Sequence, residues 1–230
     1  MIVSLLFMGA ILAMCAYALA RADLFTKPWL DTGVVPISTA PRGFMGVGLG
    51  IFLVVVSGLF ALLISAAVMR MGYPDWRAVD PPQAVWIGGA FLLLASVAMS
   101  VATRAARAGD WKGTWADLAL AGLATTGFLI AQITGWWQLL GRGGGPASNP
   151  ANGFFFLFTT LHGLHIAGGL IALSRAGLLA RRGEHAAGRS IELCATYWHV
   201  LLAIWVVLVA VLFGGARRFV ELCLAAVGQG

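Results

Sequence analysis

Residues Phe154–Ala172 read FFFLFTTLHGLHIAGGLIA. The run holds no Asp, Glu, Lys or Arg, and it is long enough to cross bilayer hydrocarbon, which takes about 20 residues. Yet it contains two imidazoles, His162 and His165, three positions apart. A third, His199, stands in the middle of the next apolar run, within Tyr197-Trp198-His199. A titratable ring in hydrocarbon is costly, so each of these has a partner or a task.

The whole chain follows this pattern. Of 230 residues, 60% are hydrophobic and 10% charged. A soluble domain carries about 25% charged residues. Six apolar runs are long enough to span: roughly 2–20, 43–68, 84–103, 118–140, 153–173 and 193–213. The predicted fold class is therefore all-α, a polytopic membrane bundle of six transmembrane helices. The first run ends Ala18-Leu19-Ala20, like a leader-peptidase site. It lacks a basic stretch before it and has Arg21 and Lys27 after it, the pattern of a retained helix inserted from outside.

The connections are short and rich in Pro and Gly. The net charge of +6 is spread over them, with no basic stripe for nucleic acid. Ten Lys and Arg fall in the segments 21–42, 104–117 and 174–190, against five on the opposite side. The positive-inside rule then predicts the ten-residue side as cytoplasmic and both termini as periplasmic. Residues 217–230 are too short to span and read as an interfacial tail. Cys15, Cys194 and Cys223 are too scattered for disulfides or metal spacing and read as small apolar fillers.

All nine acids lie in loops or at span ends. Ion-coupled carriers and proton pumps keep ionisable groups at depth, so autonomous translocation is disfavoured. His162 and His165 share a helix face with Thr159 one turn earlier, and Glu192, Thr196 and His199 share a face of the next helix. His165 and His199 stand at similar depths, roughly 13–15 Å from their helix ends, where they can meet or share a partner. Two readings follow. Imidazoles bind metal or haem in helical bundles, or they join helices through hydrogen bonds of about 0.5–2 kcal/mol. A copper or haem–copper centre needs more histidines than the three within spans, which favours the joining role. Small residues, Gly46, Gly48, Gly50, Gly58, Gly168 and Gly169, permit close helix approach. Trp111, Trp115, Trp136 and Trp137 read as interfacial anchors. Trp198 and Trp205 read as packing against a partner subunit or lipid.

At these residues the chain resembles subunit III of the haem–copper oxidases, the cytochrome c and quinol oxidase family. Thr160-Leu161-His162-Gly163-Leu164-His165 is similar to the family's H-G-L-H helix. Glu192, seven residues before His199, is similar to its last helix, as is Trp205. Leu49 to Leu53 with Ser57, and Gln132 with Trp136, are similar to two further helices. The resemblance covers about residues 43–213.

The resemblance implies a five-helix subunit III-like bundle (43–216), and the hydropathy pattern adds an N-terminal helix with a cytoplasmic loop (1–42) and the tail (217–230). The resemblance also implies an accessory, non-catalytic subunit in a bacterial plasma membrane. Such a subunit packs on the catalytic subunit I, and subunit II, of a respiratory oxidase. Haem and copper then belong to the partner, with phospholipid bound here and no metal or catalytic residue in this chain. His162, His165, Glu192, Tyr197, Trp198 and His199 are the expected interhelical or lipid-contact residues. Family carboxylates are missing at Gly58, Gly135 and Leu202. Two other functions stay open: a component associated with nitric oxide reductase, and a membrane haem b carrier using two of the three histidines. A transporter is disfavoured by the absence of repeats and buried charge.

Overall fold

The computed structural model describes residues 44–182 and 186–213. The expected span at 2–20, the expected boundaries at 42/43 and 216/217, the tail, Cys15 and Cys223 lie outside them. Among the described residues all regular structure is helical: α1 Phe44–Arg70, α2 Gln83–Arg107, α3 Trp111–Gly141, α4 Pro150–Arg181 and α5 Ala186–Leu212. Each of the five is long and apolar enough to cross a membrane.

Two compact units part within α1, between Leu62 and Leu63. In the first, Leu53, Val56, Ser57 and Phe60 are buried. Gly58 there has open space where a Cβ would stand.

In the second unit α2, α3, α4 and α5 close a ring: α2 packs on α3, α3 on α4, α4 on α5 and α5 back on α2. The cause lies in the buried positions. They run Val85, Gly88, Leu92, Ala95, Met99, Ala102 on α2, and Leu118, Ala121, Thr125, Phe128, Gln132, Gly135, Leu139 on α3. They continue as Phe155, Thr159, His162, Ile166, Gly169, Leu173 on α4, and Ile191, Cys194, Trp198, Leu201, Trp205, Leu208 on α5. All four alternate steps of three and four, the 3.5-residue repeat of left-handed helix packing.

The helices run past the apolar spans read from sequence. Arg104, Arg107, Arg175, Arg181 and Arg189, expected in loops, are helical. Hydropathy measures the hydrocarbon, whereas the backbone ladder continues into the interface, where long basic side chains reach water.

Specific devices end the helices. Gly109 (φ 77°) and Gly143 (φ 76°) adopt the left-handed conformation that closes α2 and α3. In each case the amides of the glycine and of the next residue return to carbonyls of the last turn, and a side chain there would be strained. Asp110 caps α3 by accepting from the Gly113 amide at 3.0 Å. Asn149 caps α4 by accepting from the Ala151 amide at 3.2 Å, ahead of Pro150. The same Asn149 carboxamide accepts from the Arg77 amide and donates to the Arg77 carbonyl. It thus ties the 71–82 connection to the start of α4. In that connection Asp75 receives both arms of the Arg70 guanidinium, which hold its carboxyl below the usual carboxylate range.

Two outcomes follow for this end of the bundle. Asn149→Ala should lower thermal stability by about 1–2 kcal/mol in a detergent melt, through loss of the cap. Asp75 has a depressed pKa in the fold, so its contribution is present above the unfolded carboxylate pKa and disappears as pH falls through the lower folded value. Amide-exchange protection at 71–77, taken relative to the intrinsic rate at each pH, should therefore fall below the carboxylate range, and Asp75→Asn should show the low protection already at neutral pH.

Candidate functional site

The six residues singled out from sequence fall into three places in the ring. The first is a cluster of aromatic rings at its centre. His162 of α4 is fully buried. Its imidazole stacks on the Trp205 indole of α5 (centroids 5.2 Å, 28°) and meets the edge of Phe128 of α3 (5.6 Å, 82°). Phe128 and Trp205 meet edge to face at 4.9 Å. Such arrangements stabilise by about 0.5–1.5 kcal/mol beyond area burial. α2 completes the seat with bare backbone. A Cβ on Gly88 would lie 3.4 Å from the Phe128 ring, and one on Gly89 would lie 3.2 Å from Trp205 Nε1.

The second place is a set of directed hydrogen bonds between α3, α4 and α5. Trp198 is fully buried and its Nε1 donates to Thr125 Oγ1 at 3.0 Å. Thr125 in turn donates to the Ala121 carbonyl at 2.7 Å. Trp136 repeats the scheme: Nε1 donates to Thr159 Oγ1 at 2.9 Å, and Thr159 donates to the Phe155 carbonyl at 2.7 Å. Gln132 Nε2 donates to the Thr159 carbonyl. Tyr197 OH donates to the His165 carbonyl at 2.7 Å. His165 Nδ1 lies 2.7 Å from the Leu161 carbonyl, so that nitrogen carries the proton.

Two glycines of α4 make room for these partners. A Cβ on Gly163 would stand 2.7 Å from Gln132 Nε2, and one on Gly169 would stand 2.6 Å from Tyr197 Cε1 and 3.0 Å from the Trp198 ring.

The third place is the outer edge of the α2–α5 pair. His199 is exposed there. Its Nδ1 faces the Ala195 carbonyl, and its Nε2 lies 3.0 Å from Ser100 Oγ of α2. Toward the helix ends, Glu192 accepts from Arg107 Nε of α2 at 3.0 Å and lies 3.6 Å from Arg189.

These placements amend the sequence reading at several residues. Trp198 and Trp205 are interior rings, not an outward face toward lipid or a partner, because each finds its neighbours inside the ring: Thr125 for one, His162 and Phe128 for the other. Trp136 also turns inward, while Trp137 stays 70% exposed. His199 bonds to α2, not to α4. Glu192 takes Arg107 of α2 as its closest cation, with Arg189 of its own helix farther away. The sequence carries a signal for Arg107: Ser96, Ser100, Thr103 and Arg107 are spaced four, three and four, a polar stripe on one face of α2.

Among the described residues no three His, Cys, Asp or Glu side chains converge as metal ligands would. The geometry holds helices in register and offers the described histidines to backbone carbonyls, hydroxyls and rings.

No protein-family model matches the chain. Curated relatives do. Over 163 residues it is 29% identical to the probable cytochrome c oxidase subunit 3 of Mycobacterium tuberculosis, covering 68% of this chain and 79% of that protein. Over 165 residues it is 27% identical to the cytochrome bo(3) ubiquinol oxidase subunit 3 of Pseudomonas putida, covering 70% and 78%. The corresponding subunit of Pseudomonas aeruginosa is 25% identical over 162 residues. The chain is similar to the third subunits of terminal oxidases. The similarity extends to relatives named for both cytochrome c and ubiquinol.

The ring seats give a paired test. Gly169→Ala should destabilise the protein by about 1–3 kcal/mol, since the rings of Tyr197 and Trp198 must shift. Gly168→Ala, one residue earlier with open space at its Cβ, should melt like the parent. Equal melting of the two variants would remove the glycine seat from the account.

Proposed function

We propose that this chain is a divergent subunit III of a bacterial respiratory terminal oxidase, an accessory component that does no redox chemistry itself. The reading is carried by the match to oxidase third subunits over more than two thirds of both chains. Two histidines support it: His162 packs among rings, and His199 Nε2 lies 3.0 Å from Ser100 Oγ.

In this reading the chain packs on the catalytic subunit I, beside subunit II, and binds phospholipid, supporting the stability and turnover of a partner that holds the haem and copper. The ends of α2 and α4 and the starts of α3 and α5, where Arg104, Arg107, Lys112, Arg175, Arg181, Arg182 and Arg189 gather, face the cytoplasm by the positive-inside rule. Glu192 and Arg107 join α2 to α5 at that surface.

Purification of the tagged chain from its native membrane should yield a stoichiometric complex with a Soret band and oxygen-reducing activity. The band should survive His199→Ala. A colourless, solitary chain would refute the assignment, and a Soret band lost with His199 would transfer it to a haem-binding protein. Glu192→Ala should lower the yield of intact complex more than the turnover of the complex that remains.

A further inference from the structure

We propose that His199 and Ser100 form a proton-binding pair on the α2–α5 seam, in which one bound proton reverses the hydrogen bond between the helices without breaking it. The site lies outside the accessory role proposed above and holds whatever the chain assembles with.

Three polar contacts follow one another here. His199 Nδ1 faces the Ala195 carbonyl, His199 Nε2 lies 3.0 Å from Ser100 Oγ, and Ser100 Oγ lies 3.1 Å from the Ser96 carbonyl. Each contact needs one hydrogen, and a neutral imidazole and a hydroxyl together supply two. The Ala195 carbonyl can only accept, so Nδ1 holds the imidazole hydrogen. The hydroxyl hydrogen is then contested between Nε2 across the seam and the Ser96 carbonyl on its own helix. One proton from water, bound at Nε2, ends the contest. Nε2–H donates to Oγ, the hydroxyl turns to the Ser96 carbonyl, and all three contacts are satisfied. The new N–H is the only covalent bond that forms, and none breaks. The reversed bond is charge-assisted and therefore stronger than the one it replaces.

The neighbouring titratable groups are engaged elsewhere or lie toward the helix ends. On α5, Glu192 stands seven residues from His199, about 10 Å along the axis, and is held by Arg107 and Arg189. Cys194 is buried, and Tyr197 gives its hydroxyl hydrogen to the His165 carbonyl. On α2 the charges are Arg104 and Arg107, one and two turns beyond Ser100 and both exposed. On α4, His162 stacks on Trp205 and His165 Nδ1 faces the Leu161 carbonyl. The charged residues of α3, Lys112 and Asp117, lie near its start. A cation at mid-span is costly, and here the Ala195 carbonyl and Ser100 Oγ receive both of its hydrogens. His199 is exposed while Ser96 is buried. The outer face of the seam is thus neutral without the proton and cationic with it, and the link between α2 and α5 persists in both states.

The test uses the full chain in phosphatidylcholine proteoliposomes, with nitrogen-15 in histidine and carbon-13 in serine. Solid-state NMR spectra are recorded from about pH 9 to about pH 4, wider than the range in which imidazoles ordinarily change charge. His199→Gln identifies the His199 signals by their loss. At the alkaline end His199 should show one protonated and one bare nitrogen, and at the acid end two protonated nitrogens. Dipolar coupling between Nε2 and Ser100 Cβ should persist throughout, and the Ser96 carbonyl signal should shift together with Nε2. Ser100→Ala should abolish that carbonyl shift, and Ser100→Thr should retain it. A bare Nε2 at the acid end, loss of the coupling on protonation, or a Ser96 carbonyl that shifts equally in Ser100→Ala would overturn the pair. The spectra are read without a partner, so failure of the oxidase assignment leaves the result intact.

Discussion

Aromatic rings laid against bare backbone are the constraint on which the second unit depends. In hydrocarbon, apolar side chains gain nothing by leaving lipid for one another, so helix association rests on close packing and on hydrogen bonds. Here the two are coupled. Gly88 and Gly89 of α2 admit Phe128 and Trp205, and Gly163 and Gly169 of α4 admit Gln132, Tyr197 and Trp198. Only at that short range do the indole and carboxamide hydrogens reach Thr125, Thr159 and the α4 backbone. His162 sits where three helices meet because a flat, weakly polar ring can stack on one indole and receive the edge of a benzene ring at once.

Much of this was legible in the sequence, and the failures have physical reasons. The spans in 43–213 stood out because hydropathy reports the bilayer directly. Their ends did not, since interfacial helix turns carry the same Arg, Ser and Gly as loops. The sequence singled out His162, His165, Glu192, Tyr197, Trp198 and His199 as interhelical or lipid-contact candidates. It gave no means to choose partners. Periodicity fixes the face of one helix but not the rotation of its neighbour, so it does not pair Glu192 with Arg107. Trp198 and Trp205 were read outward because large aromatics at mid-depth have no sign of direction of their own. Their partners, Thr125 and Phe128, were visible only as ordinary members of the α3 stripe.

The positions where the family resemblance implies carboxylates also take a physical form. Gly135 faces Ala84 and Val85 at ordinary contact distance, so the start of α2 fills that place with hydrocarbon. Gly58 has unoccupied space beside it. The two glycines are thus not equivalent: Gly135 is sealed by packing and Gly58 is open.

The hydroxyls within the spans share a habit. Ser100, Thr103, Thr114, Thr125, Thr126, Thr134, Thr159 and Thr196 all give their hydrogen, or can give it, to a carbonyl one turn back on their own helix. What Thr125 and Thr159 present sideways is therefore an oxygen lone pair with a fixed compass bearing. An indole that docks on such a bearing cannot roll about its helix axis and keep its bond. Rolling α3 against α5 would break the Trp198–Thr125 bond, and rolling it against α4 would break the Trp136–Thr159 bond.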